Sequence, residues 1–85
     1  MNAIIEVINN AKRMAGARID AGELVVFELR DDSKPAVGDA ISFRDFNAMG
    51  KRRYQNTTQK LEMRVSVRGI VGSLAKAREL CLLKP

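Results

Sequence analysis

The clearest pattern in the chain is the alternation from Leu61 to Val67. Leu61, Met63, Val65 and Val67 share one face, while Glu62, Arg64, Ser66 and Arg68 share the other. A period of two predicts a strand with one buried face and one wet face, with Arg64 and Arg68 on the wet side. Leu24-Val25-Val26-Phe27-Glu28-Leu29 is nearly continuous and rich in β-branched residues, so it predicts a strand covered on most of both faces. Met14 to Ile19 precedes it, separated by Asp20-Ala21-Gly22-Glu23. Gly22 can adopt the positive φ that a short hairpin loop needs, so residues 14–29 read as a β-hairpin.

Val37, Asp39, Ile41 and Phe43 alternate with smaller residues and predict a third strand over Val37 to Phe43. Arg52 to Thr57 predicts a fourth, polar enough to be an edge. Ala3 to Ile8 reads as a strand from its two isoleucines and valine, although the residues after it would also suit a helix. At the other end, Ser73 is an N-cap candidate, and Leu74, Ala77 and Cys81 repeat at helical spacing with Leu80 beside them. This predicts a helix over about 74–83, its stripe packed over an open end of the barrel. The expected fold is mainly β: one domain over 1–85, a small five-stranded OB-like or SH3-like barrel with a short C-terminal helix.

Several stretches, in order, carry a resemblance: Lys12-Arg13-Met14, Gly22 to Leu29, Val37-Gly38-Asp39-Ala40-Ile41-Ser42 and Met49-Gly50. Asn56-Thr57-Thr58-Gln59, Val65-Ser66-Val67-Arg68 and Ser73-Leu74-Ala75-Lys76-Ala77 continue it. Laid out this way, the chain resembles a group of small bacterial OB-like barrel proteins of uncharacterised function. The resemblance implies the barrel and no activity. The chain departs from that group in being unusually basic around Lys51-Arg52-Arg53.

Composition sets the bounds on function. The chain has 85 residues, is 46% hydrophobic and only 5% aromatic, and lacks Trp and His. The core must therefore rest on aliphatic side chains. The single cysteine cannot form an internal disulfide, which argues against a stapled secreted scaffold. The first residues do not read as a signal peptide, and no apolar run approaches the ~20 residues needed to span a bilayer. A soluble, cytoplasmic protein is expected.

Charge is unevenly distributed. Residues 1–43 carry a net −2, residues 44–68 a net +5 and residues 69–85 a net +2. A positive half is the pattern expected where one face meets a polyanion, and it also suits a solvated surface that aids solubility.

Little catalytic chemistry is available. Without His there is no Ser-His or Cys-His pair, and one Cys without His makes no zinc site of the usual kind. Cys81 lies on the apolar stripe and reads as a buried thiol. Asp31 and Asp32 beside Pro35 read as a solvated turn before a Mg²⁺ site. Glu28 is expected to be exposed or paired with an arginine. Gly69 to Gly72 reads as a strand-to-helix turn. The chain is expected to be a non-enzyme that needs no metal or cofactor.

Binding is what remains. Arg44, Lys51, Arg52 and Arg53 surround Phe46 and Tyr54; the cations suit backbone phosphates and the rings suit stacked bases. Gln55 and Asn56 carry groups suited to base edges. Arg64 and Arg68 extend the track. This predicts DNA or RNA binding, single-stranded or RNA, at Arg44, Phe46, Lys51, Arg52, Arg53, Tyr54, Arg64 and Arg68. The other class is a protein-interaction module, monomer or homodimer, which docks an acidic partner or pairs through an edge strand.

Overall fold

Alternating and doubly apolar segments have different burial needs, and the architecture meets both. The computed structural model describes residues 1–44 and 49–81. Its elements are β1 (Asn2–Asn9), β2 (Met14–Ile19), β3 (Leu24–Leu29), β4 (Ala40–Ser42), β5 (Gly50–Asn56), β6 (Leu61–Val71) and α1 (Leu74–Leu80). The strands are antiparallel and close into a barrel in the order β1-β2-β3-β6-β5-β4. The barrel therefore has six strands, not the expected five. All six extended segments found in the sequence are used, and the N-terminal segment completes the ring.

The interior is filled by one face of each alternating strand. Ile5, Ala17, Val25, Phe27, Ile41, Tyr54, Met63 and Val65 meet there, each nearly or fully buried. The outer faces of β2 and β3 are also apolar and form a second cluster of Val7, Met14, Leu24 and Val26 with Ala77 and Cys81 of α1. The helix thus lies against the outer wall of the barrel and does not cap an open end. A strand that is apolar on both faces needs cover on its outside, and α1 supplies it. Gly16 lies beneath the helix; a Cβ there would already touch Ala77 Cβ at 3.5 Å. A register shift in β1 between Ile5 and Val7 moves Val7 from the interior set to the helix-covered set.

The third predicted strand is shorter than its alternation suggested. Only Ala40–Ser42 pairs as strand, and Val37 is 64% exposed in a turn. The cause is Asp39. Its buried carboxylate accepts from the Ala36 amide, Asn56 Nδ2 and Gln59 Nε2 at 2.7–2.9 Å, which folds residues 36–39 into a turn. Gly38, at φ 97°, makes that turn possible. Arg52 to Thr57 is not an edge either. β5 pairs with β6 along its whole length and with β4 at Gln55 and Asn56.

Candidate nucleic-acid interface

β5 and β6 run side by side with Lys51 opposite Ser66, Arg52 opposite Val65 and Arg53 opposite Arg64. Lys51, Arg52, Arg53 and Arg64 are all exposed. Together with Arg30, just beyond β3, and the buried Val65, they line an open groove of about 460 Å³. Among the described residues five cations and no carboxylate line it. On the other side of β5, Arg52 and Arg53 also border a cleft of about 400 Å³ with Phe43, Arg44 and Tyr54. Arg53 and Arg44 further line an opening beside Met1, Ser42 and Glu62. A basic path therefore crosses from Arg30 and Arg64, over β5, to Arg44.

The acids near this path only partly neutralise it. Arg53 Nε is 3.9 Å from Glu62, and both side chains are well exposed, a geometry worth little in water. Glu28 takes Arg68 at 2.8 Å and Arg30 at 3.8 Å. The Arg64 guanidinium and the Lys51 ammonium form no ion pair within 4 Å among the described residues.

One wall of the groove is held by backbone hydrogen bonds. The Arg30 amide donates to the Arg64 carbonyl at 2.8 Å, and the Arg64 amide donates to Asp31 Oδ2 at 2.8 Å. The other oxygen of Asp31 accepts from the Ser33 amide at 3.0 Å and from its hydroxyl. Arg13 braces the same turn by donating to the carbonyls of Asp31 and Ser33. Burial raises the pKa of Asp31, but the hydrogen bonds from Ser33 and Arg64 and the nearby Arg13 outweigh it and hold the carboxyl below its ordinary range. With both oxygens engaged inside the protein, Asp31 braces this turn against β6. No group of three potential ligands occurs among the described residues.

The predicted residues separate. Lys51, Arg52, Arg53 and Arg64 come together in one groove, and Arg44 lies on the adjoining path. Arg68 does not line the groove; Glu28 holds it elsewhere on the wall. Phe46 lies outside the described residues. Tyr54 is a correction: it is 1% exposed and belongs to the core. Its ring stacks on Phe43 at 4.6 Å and meets Phe27 edge-on at 5.2 Å, so it offers no free face to a base. Burial pushes its hydroxyl up to about 12, although Arg52 pulls the other way. Asn56 is likewise removed from base reading, since it is buried and donates to Asp39. Gln55 donates to Glu62 at 3.1 Å.

Arg30 was not foreseen. Its only sequence signal is its place directly after β3, and the neighbour that makes it relevant, Arg64, is brought by a long-range pairing. Cys81 is fully buried and burial raises its thiol, as expected of a structural cysteine. Among the described residues no helix is long and apolar enough to cross a membrane.

No family model, curated protein or solved structure matches the chain. The functional reading therefore rests on the groove itself.

Proposed function

We propose that the protein is a non-enzymatic module that binds single-stranded nucleic acid or RNA, with the groove between β3, β6 and β5 as its phosphate-binding surface. The observation that supports this reading is the lining of that groove, which among the described residues is Arg30, Lys51, Arg52, Arg53 and Arg64 around Val65, with no acid. Arginine forks suit phosphate oxygens, and release of counterions makes such contacts favourable. With Tyr54 in the core, the contacts are to backbone and carry little sequence information.

The loss of that aromatic face also favours a second reading, in which an acidic protein segment docks in the same groove. Pairing through an edge strand has less support, because β5 has a neighbour on each side.

Fluorescence polarisation with labelled single- and double-stranded DNA and RNA at two salt concentrations tests the proposal. Binding should weaken with salt at a log–log slope of about −0.7 per phosphate contacted on single strands, or about −3 for four. The triple variant Lys51→Ala, Arg52→Ala, Arg53→Ala should abolish binding and leave thermal unfolding nearly unchanged, because all three side chains are exposed. Absence of binding at low salt would leave the acidic-partner reading.

A further inference from the structure

The groove contains an arrangement that folding alone disfavours. Arg53 and Arg64 are directly opposite each other on adjacent antiparallel strands. Residues so paired have Cβ atoms about 4.5–5.5 Å apart, and like charges there repel. Arg30 adds a third guanidinium on the next chain across, its amide bonded to the Arg64 carbonyl. Three cations thus stand on three neighbouring chains at steps of about 4.8 Å, within side-chain reach of one point. Among the described residues Val65 is the apolar floor and no carboxylate lines the groove; Glu28, 3.8 Å from Arg30, and Glu62, 3.9 Å from Arg53, stand outside the lining and leave Arg64 without an ion-pair partner.

We propose that Arg30, Arg53 and Arg64 form a seat for a terminal phosphate monoester, so that a nucleic acid in the groove is held by its phosphorylated end. This inference rests on the nucleic-acid reading and sharpens it. Charge and shape both favour a terminal phosphate. An internal phosphodiester brings one negative charge and two free oxygens. A terminal phosphate brings about −1.5 to −2 at neutral pH and three strong acceptor oxygens. Three guanidiniums match the second better than the first. The seat is also pre-formed, because Asp31 and Arg13 fix the turn that carries Arg30 and the strand that carries Arg64. Asp31 is a positioning residue here. Lys51, Arg52 and then Arg44 continue the basic path, so the chain of the ligand runs from the seat across β5.

The test uses one short single-stranded oligonucleotide in three forms: 5′-phosphorylated, 3′-phosphorylated and unphosphorylated. Either phosphorylated form should bind about tenfold tighter than the unphosphorylated one, the gain expected of added charge-assisted hydrogen bonds. Equal affinity for all three overturns the seat while leaving the nucleic-acid reading intact. No binding of any form overturns both.

Location is tested by Arg64→Gln, which should bring the ratio close to one. Its melting temperature should stay the same or rise, since the variant relieves the Arg53–Arg64 repulsion. A ratio unchanged in R64Q overturns the assignment of these residues. Lys76→Gln, on the helix outside the groove, should keep the full ratio; its loss there would mean that bulk charge, not a seat, is responsible. Asp31→Asn should lower the ratio without unfolding the protein, which separates positioning from bulk charge.

A free nucleoside monophosphate distinguishes the two sources of a terminal phosphate. It should displace the phosphorylated oligonucleotide only at concentrations about a hundredfold above those of the unlabelled oligonucleotide. Equal potency would make a small phosphorylated metabolite the occupant and overturn the proposal.

Discussion

At the residue scale, Tyr54 and Asp39 have the largest predicted effects. Tyr54 fills the centre of the barrel between two phenylalanines, yet its hydroxyl has no hydrogen-bond partner among the described residues. Tyr54→Ala should cost about 3–5 kcal/mol, because it leaves a large cavity. Tyr54→Phe should be neutral or stabilising by up to about 1 kcal/mol, since it removes a buried polar atom that makes no bond. Urea denaturation of the two variants checks both, and a large loss in Y54F would mean that the hydroxyl is partnered after all. Asp39 is different in kind. Burial raises its pKa, but hydrogen bonds from Asn56, the Ala36 amide and Gln59 outweigh this and hold it below its ordinary value of 3.8. Asp31 is shifted in the same direction. A folded-state pKa below the unfolded one contributes stability that is complete above the unfolded value and is lost as pH falls through the folded one. Urea midpoints should therefore be nearly flat near neutrality and fall as pH drops below about 4. Asp39→Asn should shrink that fall at some cost in stability at neutral pH.

At the element scale, α1 is short and depends on its cap and its contacts. The Ser73 side chain accepts from the Lys76 amide at 3.2 Å, and Ser73→Ala should cost about 1 kcal/mol, read as a lower urea midpoint. Gly69→Ala should change the urea midpoint little, because the added Cβ meets only Leu80 Cδ1, at 3.1 Å, the tip of a 40% exposed side chain that can turn aside. Clean alternation made β6 legible in the sequence, and apolar β-branched residues did the same for β3 and, against a helical alternative, for β1. The helix was legible too, but not its resting place. The double-sided β3 run called for a cover without naming it. The alternation over Val37 to Phe43 imitated a strand, while the buried role of Asp39 depends on Asn56 and Gln59, far along the chain. In β5, Lys51-Arg52-Arg53 breaks the alternation, since Arg52 shares a face with Tyr54 and yet is exposed. That break hid the inward direction of Tyr54 and Asn56. Of the binding groove, the cations of β5 and Arg64 were legible from charge and period, whereas Arg30 entered only through the pairing of β3 with β6.

At the scale of the whole molecule, two cores share one wall. The barrel interior and the cluster beneath α1 lie on opposite sides of β2 and β3. Cys81 sits in the second cluster and is fully buried, so it reports on the integrity of that layer. A thiol reagent should label native protein very slowly and should label it fully in denaturant. Rapid labelling under native conditions would show that α1 detaches from the wall while the barrel persists.

The barrel also has a seam with a temporal consequence. β6 joins β5 on one side and β3 on the other, so it alone links the two halves of the ring there. During synthesis β6 leaves the ribosome after β1 to β5. Until it does, β3 and β5 each expose a row of unpaired amides and carbonyls. Refolding followed by stopped-flow should therefore show one late, concerted closure on about the millisecond-to-second scale, given the long sequence separation between β3 and β6. Truncation before β6 should yield a chain that aggregates, because the same open rows that await the last strand will accept a neighbour's.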